Sequence, residues 1–186
     1  MEKFIKEWLP YLIIIVVVVV VRSFIITPVI VRGDSMDETL HDGEVLLLSK
    51  ISYKVSDIKR YDIVVIKDKD DDYIIKRVIG LPGDDIEYIN DTLYINGEKV
   101  NKRFTDDETG DFNLEDICEI NDDDCSEGIP EGKYLVLGDN RDVSADSRVK
   151  GLIDREQITG KTVVRLWPSN KISSVKSWWA YGVIID

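Results

Sequence analysis

Histidine, cysteine and basic side chains are scarce in this sequence, and each shortage removes a class of chemistry. Of 186 residues one is histidine, His41. A serine–histidine–aspartate triad would have to be built from it alone, with Ser35 six positions upstream and Asp42 adjacent. A lone histidine is more commonly a surface or packing residue, so no triad is expected. Cys118 and Cys125 are the two cysteines, and with one distant histidine they make no convincing zinc site. They read either as a disulfide closing a small loop outside the cytoplasm or as two thiols in a surface insertion, and the sequence leaves both open. Lys and Arg number 24 against 36 Asp and Glu, for a net charge of −12. Nucleic-acid binding needs a basic footprint, so no nucleic-acid partner is expected. The shortage is sharpest between Thr105 and Glu127, where eleven acidic residues occur and no basic one. Their spacing does not match an EF-hand loop. The stretch reads as a solvated, mobile insertion (105–127) between two structured halves.

Apolar residues are not scarce. Their 44% share excludes full disorder, and the length suits one compact domain. Tyr11 to Val21 is an unbroken apolar run, followed by Arg22-Ser23 and Phe24-Ile25-Ile26. A helix crossing a bilayer needs ~20 residues at roughly 1.5 Å each. Phe4 to Ile26 is long enough if Arg22 snorkels to the interface and Trp8 anchors the other side. Thr27-Pro28 should end the helix, because the residue before a proline is pushed out of helical angles. A cleavable secretory signal would need a small-residue cleavage site, and none follows. Residues 1–31 therefore read as a retained single-pass anchor partnered by the lipid bilayer, and 32–186 as the folded domain. The positive-inside rule gives no orientation, since basic residues flank both ends.

After residue 31 the sequence reads as β. Val45–Leu48, Ile63–Ile66, Tyr73–Ile79, Ile86–Ile89, Leu93–Ile95, Tyr134–Leu137 and Thr162–Leu166 are short, β-branched and bounded by turn formers. Asn90-Asp91 and Asn96-Gly97 are hairpin signals, and Pro82-Gly83 fits a tight turn. Asp154–Ile158 has room for one helical turn. The expected fold class is mostly β, an antiparallel sheet system or open barrel hung from one N-terminal transmembrane helix.

Without a histidine, a base must be sought elsewhere. In the Tyr73–Ile79 strand, Lys76 shares its face with Ile74 and Val78, while Ile75, Arg77 and Ile79 point the other way. Desolvation between aliphatic neighbours disfavours the ammonium and lowers its pKa. A neutral lysine can take the proton of a serine hydroxyl. Periodicity alone favours an edge lysine facing water.

Local motifs reverse that preference. Gly33-Asp34-Ser35-Met36-Asp37-Glu38-Thr39-Leu40 resembles the nucleophile motif of type I signal peptidases, S-M-x-P-T-L. Lys76-Arg77-Val78-Ile79-Gly80-Leu81-Pro82-Gly83-Asp84 is similar to that family's lysine motif, K-R-V-x-G-x-P-G-D. Gly138-Asp139-Asn140-Arg141-Asp142-Val143-Ser144-Ala145-Asp146-Ser147-Arg148 resembles its closing motif, G-D-N-R-x-x-S-x-D-S-R. Lys59-Arg60-Tyr61-Asp62-Ile63-Val64-Val65 is similar to the intervening R-G-D-I-V-V, with Tyr61 in place of glycine. The resemblance covers nearly the whole chain, the acidic insertion excepted.

The resemblance implies a signal-peptidase-like antiparallel β catalytic domain. Ser35 matches the nucleophile, Lys76 the general base, and Ser144 a serine that orients the lysine. Asp146 and Arg148 match a structural ion pair, and the Ser35 backbone N–H matches an oxyanion donor. Where some members carry a second donor hydroxyl, two residues before the nucleophile, this chain has Gly33. Glu38 replaces the family proline after the nucleophile. The implied activity is removal of signal peptides from exported preproteins, with small side chains one and three residues before the cut and no cofactor or metal. Met36, Leu40 and Ile75 are candidates to line the substrate pockets by strand proximity. The implied location is the cell membrane, single-pass, with the catalytic domain on the extracytoplasmic side. Two rivals remain. A self-cleaving repressor would need a DNA-binding module where the apolar span lies. A catalytically inactive anchored relative, acting as a binding or scaffold protein, would keep the fold without needing Ser35 and Lys76 together.

Overall fold

A computed structural model describes residues 2–37, 39–68, 72–100, 105 and 107–175, with the side chains of 2–6 and 23 outside the description. Helix α1 runs from Glu2 to Phe24. Its described side chains run from Glu7 onward. Over the described residues no helix is long and apolar enough to cross a membrane. The backbone helix ends before Thr27-Pro28, and the chain passes directly into strand β1, Ile26–Ile30. A proline within a strand is tolerated at a sheet edge, where its missing N–H breaks no ladder, and β1 is such an edge.

The main sheet takes β1 next to β2 (Val45–Ser49), then β11 (Ile158–Trp167), β3 (Ile63–Lys67), β4 (Tyr73–Gly80), β9 (Lys133–Leu137) and β10 (Ile153–Asp154), with β12 (Ser173–Ser174) paired to β11. A second sheet holds β5 (Ile86–Ile89), β6 (Thr92–Ile95), β7 (Glu98–Lys99) and β8 (Phe112–Asn113), in the order β7-β6-β5-β8. Every strand pair in both sheets is antiparallel. The β5–β6 turn has Asn90 and Asp91 both at positive φ, as a two-residue hairpin with this twist requires. Besides α1 the described helices are short: α2 (Ser52–Val55), α3 (Leu114–Glu119) and α4 (Ser147–Lys150). Arg155–Gln157 forms the single helical turn expected near Asp154.

Three apolar clusters hold the sheets together. Val64, Ile66, Val78 and Val136 centre one, and Val31, Met36, Leu40, Leu46 and Ile63 another. The third joins Ile79, Leu135 and Leu137 of the main sheet to Ile86, Tyr88 and Leu93 of the second. That cluster also takes in Leu114, Ile117 and Cys118, which corrects the expectation of a solvated acidic insertion. Asn113 and Asp116 form a reciprocal capping box that starts α3. Residues 114, 117 and 118 then fall on one helical face and are buried, while the acidic positions between them face water. Cys118 and Cys125 form a disulfide, with Cα atoms 6.3 Å apart.

Candidate active site

Ser35 lies in a loop whose two ends are tied together and whose underside is buried. Val31 N–H donates to Glu44 O (2.8 Å) and Gly43 N–H returns to Val31 O (3.0 Å). Gly33 donates its N–H to Asp42 Oδ1 at 2.8 Å and has φ of +81°. Space for a side chain is open there, but the left-handed backbone favours glycine. Asp37 N donates to Asp34 O, and Leu40 N to Met36 O, so the loop turns sharply around Ser35. Met36 and Leu40 are driven into the core beneath it. Ser35 stays half-buried, and its N–H donates to no acceptor among the described residues. Glu38, the departure from the family pattern, lies outside the described residues.

Lys76 occupies the middle of β4, directly across from Val64 of β3. Its same-face neighbours Ile74 and Val78 pack into the cluster that contains Val64 and Val136. Ile75 packs against the cluster under Ser35, and Ile79 against the third, so the strand alternates as its pleat demands. Lys76 is 2% exposed and makes no hydrogen bond or ion pair with a described residue. Burial pulls its pKa down from 10.5 to about 8; the Asp146 carboxylate opposes that shift, Lys150 and Arg148 reinforce it, and Asp139 opposes it.

The closing motif meets both elements through Gly138. Leu137 pairs with Arg77, which brings Gly138 alongside Lys76. A Cβ on Gly138 would overlap Ser144 Oγ and the Ser35 carbonyl, so only glycine lets those three segments come together. Asn140 N–H donates to Ser35 O at 3.2 Å. Ser144 is buried and its Oγ has no hydrogen-bond partner among the described residues. Ser35, Lys76 and Ser144 thus lie around one glycine, with no hydrogen bond among the three.

Asp146 and Arg148 hold this segment in place. Arg148 Nε donates to Asp146 Oδ1 (2.9 Å) and Nη2 to Arg141 O (2.7 Å). Asp146 also accepts from Gly138 N at 2.9 Å, fastening the glycine itself. A second buried pair, absent from the sequence-based site, does the same for the nucleophile loop. Arg77 Nε donates to Asp139 Oδ1 (2.8 Å), its Nη1 to Tyr61 O (3.1 Å), and Thr39 Oγ1 to Asp139 Oδ2 (2.6 Å). All four motifs thereby share one network: Thr39, Tyr61, Arg77 and Asp139 each come from a different one. The signal for it was Arg77 itself, an arginine on a strand face otherwise occupied by Ile75 and Ile79. A cation between aliphatic residues on a core face needs a buried acid.

A groove of about 670 Å³ opens beside Ser35, lined among others by Val29, Ser35, Met36, Tyr73 and Ile75. Leu40 is not part of its lining; it is wholly buried in the cluster that includes Met36. Two strand edges flank the groove. β9 pairs with β4 only at Arg77, Val78 and Gly80, which leaves Tyr73–Ile75 without a partner on the side away from β3, and β1 is the terminal strand of the sheet.

A serine lining an apolar groove, a buried lysine on the strand that flanks it, and the only histidine exposed and paired to Asp37 fit the class of serine hydrolases that work without histidine. A family model described as "Signal peptidase, peptidase S26" matches residues 5–167, and the chain belongs to that family of serine peptidases. It is 45% identical over 179 residues to signal peptidase IB of Staphylococcus aureus strain COL, covering 90% of this chain and 92% of the relative. Over 169 residues it is 41% identical to signal peptidase I of Bacillus licheniformis, covering 89% and 90%. A signal peptidase I crystal structure from Enterococcus faecalis V583 is 34% identical and covers 57% of this chain and 97% of that one, with a TM-score of 0.49.

Proposed function

We propose that this protein is a membrane-anchored endopeptidase that removes N-terminal signal peptides from exported preproteins with a Ser35/Lys76 dyad. The observation that carries this reading is the lysine. A buried amine with no ion partner destabilises a folded protein, and a scaffold has no use for one beside a half-exposed serine. Neutral Lys76 takes the proton from Ser35 Oγ, which attacks the carbonyl after a small residue. Ser144, its hydroxyl unspent on any other partner, fixes the amine. The free N–H of Ser35 receives the developing oxyanion. As the tetrahedral intermediate collapses, the Lys76 ammonium returns its proton to the leaving amine of the mature chain, and an acyl-enzyme remains; the lysine, neutral again, is then the base for the water that hydrolyses it. The signal peptide lies extended in the groove and pairs with the open edges of β4 and β1. Met36 and Ile75 wall its shallow pockets, which restricts the residues one and three before the cut to small ones. Asp146–Arg148 holds the lysine's surroundings.

The anchor in this reading is α1. Its backbone helix is 23 residues long, about 34 Å at the standard rise. Leu9 and Leu12 to Val20 are each 45–59% exposed and belong to none of the three core clusters. A helix apolar all round that meets the rest of the protein only near its end, beside Ile26, Pro28 and Leu47, suits lipid. The Cys118–Cys125 disulfide suits an oxidising exterior rather than the cytoplasm. With α1 as the anchor, the expected boundary between an anchor (1–31) and a catalytic domain (32–186) moves back to the start of β1, since Ile26–Ile30 and Val31 belong to the domain's sheet and core.

Cleavage of a synthetic preprotein peptide tests the dyad. Ser35→Ala and Lys76→Ala should each abolish cleavage, and the double variant should lose little more, because the pair acts as a unit. Lys76→Arg should also fail, since a guanidinium stays protonated at any working pH. Substantial turnover by any of these variants would remove the assignment.

A further inference from the structure

The nucleophile loop is gripped from a second side by a residue that belongs to none of the motifs. Arg165 sits on β11, opposite Leu46 of β2. Its Nη2 donates to the Thr39 carbonyl at 2.5 Å. Its Nε lies 3.0 Å from Glu44 Oε2, an ion contact whose angles do not complete a hydrogen bond. The Glu44 side chain is only 4% exposed and that of Arg165 16%. Glu44 itself belongs to the tie that closes the loop, because its carbonyl accepts from Val31 N. Thr39 is therefore held twice: its hydroxyl by Asp139, whose partner is Arg77, and its carbonyl by Arg165, whose partner is Glu44.

We propose that Arg165 is a positioning residue for the reaction: by fixing the Thr39 carbonyl it sets the turn that places Ser35 Oγ. The proposal rests on the reading of Ser35 as nucleophile. Thr39 and Leu40 are joined to Met36 O by backbone hydrogen bonds of 3.1 and 2.7 Å, so a shift at Thr39 passes directly to the residue beside Ser35. Met36 and Leu40 anchor that turn only through apolar contacts, which resist sliding less than a directed donor does. Arginine is suited to the task because one planar group reaches an acid and a carbonyl at once, whereas lysine offers a single point. The pair lies on the loop side facing β2 and β11, while the groups that act on Lys76 are Asp146, Lys150, Arg148 and Asp139. Loss of Arg165 should disturb the serine and leave the base alone.

The test is Arg165→Gln and Arg165→Lys in the full chain, measured in three ways alongside thermal melting. On a preprotein peptide, Arg165→Gln should lower kcat by about 10²-fold, the scale for a roughly 1 Å misplacement, with KM within about twofold. Sulfonylation of Ser35 by a small sulfonyl fluoride, which makes no use of the groove, should slow in parallel. The pH at which activity rises should not move. Arg165→Lys should recover part of both rates. A folded Arg165→Gln protein with unchanged kcat overturns the proposal. So does lost cleavage with sulfonylation at the normal rate, or a displaced pH limb, which would place the effect on Lys76. If Arg165→Gln does not fold, Arg165→Lys decides alone: normal rates of both reactions overturn the proposal, and a parallel decline supports it. Ser35→Ala separates the two readings. Activity surviving there sinks the nucleophile assignment, whereas its loss alongside a fully active Arg165→Gln sinks only the positioning role.

Discussion

A buried lysine writes one number into two measurements. The folded protein holds Lys76 with a pKa of about 8 against 10.5 for the free side chain. The proposed mechanism needs the neutral amine, so kcat/KM should rise with pH through about 8 and be lost in acid. Stability follows the same proton. Between about 8 and 10.5 the unfolded chain binds a proton there that the folded chain does not, so stability rises with pH across that window; below it the folded protein must carry a buried cation, and the benefit is absent. Lys76→Met should abolish cleavage and flatten the stability profile between pH 8 and 10.5, as read by urea unfolding. A wild-type profile already flat there would mean that Lys76 is solvated and charged. Ser35, Lys76 and Ser144 could be singled out in the sequence because each sits inside a recognisable motif, and the structure brings their three segments together at Gly138. Arg77, Asp139 and Thr39 were quoted in those motifs without a role. A buried pair more than sixty residues apart in sequence has no local periodicity, and only the register of β4 against β9 brings it together. Arg165 was less legible still, since one arginine near a strand end looks like any surface cation.

At the scale of elements, strands were easier to read than the acidic stretch. The seven expected strands all form, with ends moved by a few residues, because alternation and turn residues report burial directly. Strand β1 went unseen because Pro28 argues for an end rather than a strand, and only the edge position makes it acceptable. Between Thr105 and Glu127 charge density masked a local pattern. Leu114, Ile117 and Cys118 recur at helical spacing behind a capping box, yet eleven acidic residues around them suggest solvent. The disulfide helps settle the balance by closing the turn after α3 against the core. The loop from Cys118 to Cys125 is short, so its chain-entropy contribution is about 2 kcal/mol. Asn121, within it, donates to Lys150 O (3.0 Å) and Leu152 O (3.1 Å), which docks the loop behind α4. Replacing both cysteines by serine should lower Tm by several degrees, and reductant should lower the wild-type Tm to a similar value, while the replaced protein becomes insensitive to reductant. Equal melting temperatures with and without reductant in the wild type would show that the loop holds its place unaided.

For the whole molecule, the proposed function asks the groove, the disulfide and the proposed anchor to agree on one orientation. Helix α1 delivers the chain into β1, and β1 leads within a few residues to Ser35, so the groove cannot stray far from the surface where the helix ends. The proposed anchor would hold enzyme and preprotein in the same bilayer and so raise their effective concentration at that surface. The sign of the orientation was not readable from flanking charge, because Lys3 and Lys6 precede the apolar run while Arg22 and Arg32 follow it. The proposed orientation rests on the thiol state instead. Cytoplasmic reductants keep thiols open, whereas a catalytic domain outside the membrane keeps Cys118 and Cys125 joined. Intact cells quenched in acid and then denatured in the presence of a mass-tagged maleimide should therefore yield protein without a gel shift, and prior reduction should add two tags. Cys118→Ser should add one tag without reduction, which shows that the remaining thiol is accessible to the reagent. Two tags on the unreduced wild type would place the domain in the cytoplasm, on the side from which preproteins depart, and would be incompatible with cleavage of exported chains at the outer surface.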